Sequence, residues 1–238
     1  MTAVAAEQEA VERGLTRSRA SACENADGQA AAADFAVCIA GVGPVAAAIA
    51  TLAELYTGDY DLVISAGIGG GFPGRAEIGS LVVADAILAA DLGAETPDGD
   101  GDGFLSLDAL GFGSAQAAVD GKRAARLTAL LQEADLPVTL GPVLTASAAT
   151  GTAATAQARA ARTPGAAAEG MEGFGVAVAA QTLGLPVLEL RAISNAVGPR
   201  DRAAWQIGRA LDALAAACAL LPDLLDERDL PSLVNLTR

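Results

Sequence analysis

Short apolar runs alternate with stretches of helical periodicity along the chain. Phe35 to Ala40 and Asp61 to Ala66 are compact, partly β-branched, and each is followed by glycine, the pattern of strands buried on both faces. Between them, Val45, Ile49, Leu52 and Leu55 recur at helical spacing behind Pro44, which suits a first helical turn. Strand, helix, strand predicts a parallel unit. The same alternation predicts strands at Leu81 to Ala90, Pro137 to Ala146 and Pro186 to Ser194, and helices at Lys122 to Ala134, Met171 to Leu183 and Arg202 to Leu221. An acidic helix-like run from Ala5 to Leu15 follows only Met1 to Val4, so either the first strand is weak or the natural start lies upstream. Asp, Gly and Pro fill residues 95 to 113, which reads as an exposed excursion. The expected fold is α/β: a single-domain three-layer α/β/α arrangement over residues 1 to 238, with a mixed, mostly parallel central sheet.

Composition narrows the chemistry. With 238 residues, 52% hydrophobic and 18% charged, the chain can bury a full core and is not a disordered protein. The net charge is 15 − 29 = −14, which repels phosphate backbones and anionic membranes, so neither nucleic acid nor a membrane is an expected partner. Apolar stretches such as Leu211 to Leu221 are too short to cross a bilayer, and no secretory signal opens the chain; a cytoplasmic protein is expected. There is no histidine, which excludes a Ser-His-Asp or Cys-His relay and a His-ligated zinc. No metal and no cofactor are expected. Cys23, Cys38 and Cys218 are odd in number and lack CxxC spacing, so they read as free thiols.

Several segments could carry chemistry, and each has a plainer reading. Ser65 to Phe72 is glycine-rich after a strand, suited to close backbone approach to a ligand, or to a tight strand-exit turn. It is neither a P-loop nor a strict dinucleotide fingerprint. Ala166 to Phe174 places Glu172 at the entrance of a helix, where a carboxylate could accept two sugar hydroxyls or merely complement the helix dipole. Met171 beside it could be a core side chain. Arg191 to Gly198 puts polar groups at the carboxyl end of a buried strand, where α/β sheets bind ligands, although Asn195 and Gly198 are also turn formers and Arg191 could simply pair with Glu189 or a helix acid. Glu7, Glu9 and Glu12, with Arg13, Arg17 and Arg19, look like a solvated helix face. Tyr56 and Trp205 are single aromatics suited to core or interface.

In this order, five segments together resemble the nucleoside phosphorylase and nucleosidase superfamily, in the branch that includes methylthioadenosine/S-adenosylhomocysteine nucleosidase: Ala40 to Ala47, the glycines at 67 to 71, Glu77 to Asp85, Met171-Glu172-Gly173, and Arg191 to Asn195. The ending Ser194 to Asp201 resembles the futalosine hydrolase family. The resemblance implies a purine nucleoside as small-molecule substrate, a homo-oligomer (dimer or larger), and hydrolysis of futalosine to hypoxanthine and dehypoxanthine futalosine on the futalosine route to menaquinone. It implies Glu7 as the acid that activates water, with Glu9 as fallback. Glu172 would hold the ribose hydroxyls, Met171 would pack beneath the sugar, and Arg191 would order the nucleophile. Gly67, Ile68, Gly69 and Gly70 would line the substrate, with Ile68 standing where related nucleosidases carry a serine.

Asn195 occupies the place of an aspartic acid in the adenine-cleaving relatives. A 6-oxopurine offers an acceptor, which suits an amide N–H, whereas a 6-aminopurine offers a donor. The position therefore points to hypoxanthine. A purine nucleoside phosphorylase, a methylthioadenosine-type nucleosidase and a non-catalytic nucleoside-binding scaffold are the alternatives. A basic side chain from among Arg75, Arg200 and Arg202 would meet the substrate's carboxylate.

Overall fold

The structure, a computed structural model, describes residues 1–24, 34–97 and 103–225, with no side chains described for residues 18–24. Helices run over Ala5–Glu24 (α1), Pro44–Leu55 (α2), Gly121–Glu133 (α3), Ala153–Arg162 (α4), Gly173–Thr182 (α5), Ile207–Cys218 (α6) and Leu221–Leu224 (α7). Strands run over Val63–Gly71 (β1), Leu81–Ala89 (β2), Gly93–Glu95 (β3), Phe104–Ser106 (β4), Gln116–Ala117 (β5), Val138–Thr145 (β6), Ala168–Gly170 (β7) and Val187–Ala196 (β8).

Six strands form the central sheet in the order β5-β2-β6-β7-β1-β8. Its long pairings, β1 with β8 and β2 with β6, are parallel. An antiparallel pairing of β2 with β8 curls the sheet back on itself. Alternation along the strands splits the core into two layers. Leu81 and Val83 on β2 and Leu188, Leu190 and Ala192 on β8 pack under α1, α3 and α6. Val82, Ala84, Val187 and Ile193 face α2 and α5 on the other side. The result is the three-layer α/β/α arrangement with a mixed sheet.

Three expectations need correction. Residues 35 to 40 do not make a full strand: Met1 to Ala3 slots between them and β1, and a single bridge, Thr2 to Ile39, forms. In that bridge Thr2 N donates to the Cys38 carbonyl at 2.9 Å and Ala40 N to the Thr2 carbonyl at 2.7 Å, while on the β1 side Ala66 N donates to the Met1 carbonyl at 2.9 Å. The glycines at 67 to 71 are not a turn after a strand but the strand's continuation, with a register break against β8 between Gly69 and Gly70. The last long helix is interrupted: a short 3-10 turn at Arg202–Ala204 and an extended Trp205 precede α6.

Helix α4 and strand β7 had no clear apolar signature, since Ala and Arg dominate the first and three residues make up the second. Within the excursion, β3 and β4 form a small antiparallel hairpin around residues 98–102, which lie outside the described residues.

Candidate active site

The site grows out of the paired strands β1 and β8. Their register sets Ser65 opposite Glu189 and Gly67 opposite Arg191, all on the face toward α2 and α5. Glu189 and Arg191, two residues apart on one strand, therefore project side by side, and Arg191 Nε donates to Glu189 Oε1 at 2.8 Å. The other guanidinium nitrogens are engaged as well: Nη1 donates to Glu172 Oε2 at 3.3 Å and to the Ile68 carbonyl at 3.5 Å, and Nη2 donates to Ser65 Oγ at 3.0 Å. Burial alone would lower the Arg191 pKa, but the surrounding carboxylates of Glu189, Glu172 and Glu7 raise it instead. Burial raises the pKa of Glu189, against the opposing pull of Arg191. The plain reading of Arg191 describes these contacts: it pairs with Glu189 and with Glu172, the acid at the start of α5.

Glu172 lies at the N-terminus of α5 without capping that helix through its side chain. Its Oε1 accepts from Gly43 N at 3.3 Å and its Oε2 from Met171 N at 3.3 Å. Gly43, at φ 92°, takes a conformation open to glycine and turns its N–H toward that carboxylate. Gly175 lets α5 approach α2 closely, since a β-carbon there would collide with the Pro44 carbonyl. Gly173 similarly leaves room for the Glu189 carboxylate. The run of glycines around Glu172 is thus a set of close approaches.

Glu7, in the first turn of α1, is buried, whereas Glu9 is exposed. Glu7 Oε2 accepts from Ala3 N at 2.8 Å and Val4 N at 3.4 Å, and Oε1 accepts from Ile68 N at 2.8 Å. Ile68 contributes its backbone here. Its side chain packs on the opposite face, against the layer of α1, α3 and α6, so it does not stand in for a serine hydroxyl. Gly67 lies between Glu7 and Arg191, and Gly69 is covered by the Glu169 carbonyl.

Asn195, half-buried near the end of β8, pairs with Gly70. Ser194 Oγ donates to its Oδ1 at 2.8 Å, with the Gly69 carbonyl as a second acceptor at 3.2 Å, and Asn195 Nδ2 donates to the Ala196 carbonyl at 3.0 Å. These contacts fix the amide's orientation and leave one N–H on Nδ2 and acceptor capacity on Oδ1. Met171 is half-buried next to Glu172.

Sequence reading missed three supports. In the sequence Ser65 reads only as the start of the glycine run, and it takes the register of β1 against β8 to set it opposite Glu189. Gly43 needed the fold to bring it to Glu172. The pair of Arg159 on α4 and Glu169 on β7, at 2.6 Å, is buried and also ties down the loop after β6: Arg159 Nη1 donates to Thr150 Oγ1 at 2.6 Å and to the Ala148 carbonyl at 3.2 Å, while Thr150 N donates to Glu169 Oε1 at 2.7 Å. Among the carboxylate-binding candidates, Arg75 donates to the Gly165 carbonyl, whereas Arg200 and Arg202 lie over the Trp205 ring, 5.2 and 5.9 Å from its centroid. Among the described residues no cluster of His, Cys, Asp and Glu could hold a metal ion, and no helix is long and apolar enough to cross a membrane. Cys38 and Cys218 are free thiols; the side chain of Cys23 lies outside the described residues.

Comparisons with known proteins place the chain among relatives. Residues 18–227 match the model of the phosphorylase superfamily. The chain is 52% identical over 192 residues to futalosine hydrolase of Streptomyces coelicolor, covering 79% of this chain and 78% of that one. It is 47% identical over 222 residues to futalosine hydrolase of Acidothermus cellulolyticus, covering 93% and 88%. In fold it is similar to 5'-methylthioadenosine/S-adenosylhomocysteine nucleosidase of Neisseria meningitidis, with TM-score 0.70, 17% identity and coverage of 95% and 96%. Futalosine hydrolase of Helicobacter pylori is a like match in fold, with TM-score 0.68, 17% identity and coverage of 95% and 95%. By matched length and by identity to these relatives, the chain belongs to the phosphorylase superfamily.

Proposed function

We propose that this chain is a nucleosidase that hydrolyses the N-glycosidic bond of futalosine, releasing hypoxanthine and dehypoxanthine futalosine on the futalosine route to menaquinone. The observation that carries the reading is the convergence of two separate buried carboxylates, Glu7 and Glu172, on the backbone and guanidinium around Gly67 and Arg191. The 52% identity to a futalosine hydrolase supplies the substrate.

Cleavage of the C1′–N9 bond spreads positive charge over the ribosyl ring, and water attacks from the opposite face. Glu7 accepts that water's proton: three backbone N–H groups hold the carboxylate, and an ionised carboxyl offers about four acceptor sites, so one remains for water. Glu172 accepts the 2′ and 3′ hydroxyls and stabilises the developing cation, with Met171 beneath the sugar. Arg191 helps order the nucleophile. Asn195 meets the N7/O6 edge of hypoxanthine with its free N–H. An amide does not release a proton at neutral pH, so N7 takes its proton from solvent or a relayed water. Gly67, Ile68, Gly69 and Gly70 line the ligand through their backbone.

Arg200 and Arg202, on the segment whose Gln206 N donates to the Ser194 carbonyl at 2.8 Å, are the best candidates for the substrate carboxylate. The reading includes a cytoplasmic location, consistent with the free thiols, and a homo-oligomer. Support for the latter is the outer side of α2, where Val45, Ile49 and Tyr56 are 72%, 67% and 73% exposed, an apolar face that a second copy would cover.

Incubation with futalosine, inosine and methylthioadenosine, each with and without phosphate, tests the reading by the free base released. Hypoxanthine from futalosine, unaffected by phosphate, is the expected result. Phosphate-dependent release with a ribose-1-phosphate-type product would make the enzyme a phosphorylase, adenine release a methylthioadenosine-type nucleosidase, and binding without release a scaffold. Sedimentation would reject the oligomer if it gave the mass of one chain.

A further inference from the structure

Glu189 is 0% exposed and Arg191 1% exposed, so Glu189 is walled off from any substrate. Its Oε1 takes the shortest of the guanidinium's bonds, 2.8 Å against 3.0 Å to Ser65 Oγ and 3.3 Å to Glu172. Its Oε2 has no hydrogen-bond partner among the described residues. Glu7, Glu172 and Glu189 thus surround one arginine, and Glu189 holds it most closely. A carboxylate buried with one oxygen unpartnered carries a desolvation penalty that an apolar residue at this strand position would avoid. Packing alone does not account for it.

We propose that Glu189 is a positioning residue that carries the counter-charge of Arg191, so that the guanidinium aligns Glu172 without neutralising it. This inference rests on the nucleosidase reading above and deepens it. With Glu189 in place, three carboxylates share one guanidinium, and Glu172 keeps a negative field toward the ribosyl cation. Without that charge, Arg191 would have Glu172 as its nearest remaining anion and would damp the field where positive charge develops. The loss falls on the transition state, because the neutral sugar's hydrogen bonds to Glu172 survive in the ground state.

The test compares Glu189→Gln, which keeps the shape and loses the charge, with Glu189→Asp, which keeps the charge on a shorter arm. The expected result is a kcat about tenfold lower in E189Q, with KM changed by less than about threefold, and a smaller loss of kcat in E189D. A double-mutant cycle with Glu172→Gln should be non-additive, E189Q costing little more once Glu172 is neutral. Unchanged kcat in E189Q, a greater loss in E189D than in E189Q, or additive penalties would overturn the proposal. A Glu189 that only supported the fold would lower the melting temperature and give additive penalties. If E189Q does not fold, Glu189→Asn set against E189D repeats the comparison at a shorter length. Release of base from futalosine by the unaltered enzyme tests the reaction separately, so failure of either idea is distinguishable from failure of the other.

Discussion

Gly67 and Glu7 lie 60 residues apart in the chain yet share one small volume: a β-carbon on Gly67 would sit 2.6 Å from Glu7 Oε1, and 2.8 Å from Arg191 Nη1. The absence of a side chain at 67 is what lets the first helix deliver its carboxylate to the strand that faces Arg191. Gly67→Ala should therefore push both groups apart. Overpacking of this kind costs about 1–3 kcal/mol, so the melting temperature should fall, and kcat should drop more than about tenfold. A thermal melt and steady-state kinetics check it; normal turnover would show that the approach of Glu7 to Arg191 is dispensable.

Glu172→Gln should leave a folded protein that loses most of its turnover. Removing one electrostatic stabiliser of a transition state typically lowers kcat by about 10²–10³-fold. Circular dichroism verifies the fold and base release the rate; near-normal turnover would remove Glu172 from the mechanism.

Asn195→Asp exchanges an N–H donor for an acceptor at the purine edge. Turnover of futalosine, as kcat/KM, should fall by about 10²-fold or more, and any cleavage of a 6-aminopurine nucleoside should rise relative to it. Competition between the two nucleosides gives the ratio directly, and an unaltered ratio would mean that the side chain at 195 does not read position 6.

Arg159→Met would strand Glu169 in the interior, since both partners are nearly inaccessible, at 6% and 7% exposure. Breaking one half of a buried pair costs about 3–5 kcal/mol, which denaturant unfolding should register. The loop at residues 147–151 loses three of its ties in the same variant. Glu169→Gln combined with Arg159→Met should recover part of the stability, because no uncompensated charge then remains.

Burial pushes the Cys218 thiol up to about 12 from its ordinary 9.0. The neutral thiol is thus favoured in the folded chain: its contribution to stability is full below pH 9, and is lost as pH rises toward 12. Stability of the unaltered protein should fall faster than that of Cys218→Ala across that window. The peptide carrying Cys218 should also resist alkylation of native protein at pH 8 and react once the chain is unfolded, as peptide mass mapping would reveal.

Much of this was legible along the chain. The apolar runs at 81 to 90 and 186 to 194 marked strands β2 and β8 because burial on two faces demands continuous apolar residues, and the spacing of Val45 and Ile49 marked helix α2 although both side chains lie on its exposed face. The absence of histidine and the placement of Glu172, Arg191 and Asn195 after apolar segments limited the chemistry to carboxylates, an arginine and an amide. What the residues alone left open is whatever depends on two segments meeting. Glu7 and Glu9 are equivalent as letters, and only the docking of α1 against β1 buries one and exposes the other. Ile68 names a side chain, yet the pleat turns that side chain away and leaves its N–H and carbonyl at the site. The glycines at 67 to 71 read as a turn because glycine is common there, but close contact with Arg191, Glu169 and Ala76 gives them another use inside a strand. Local pattern reports burial, which each residue feels individually; register and close approach belong to pairs, and the fold alone sets them.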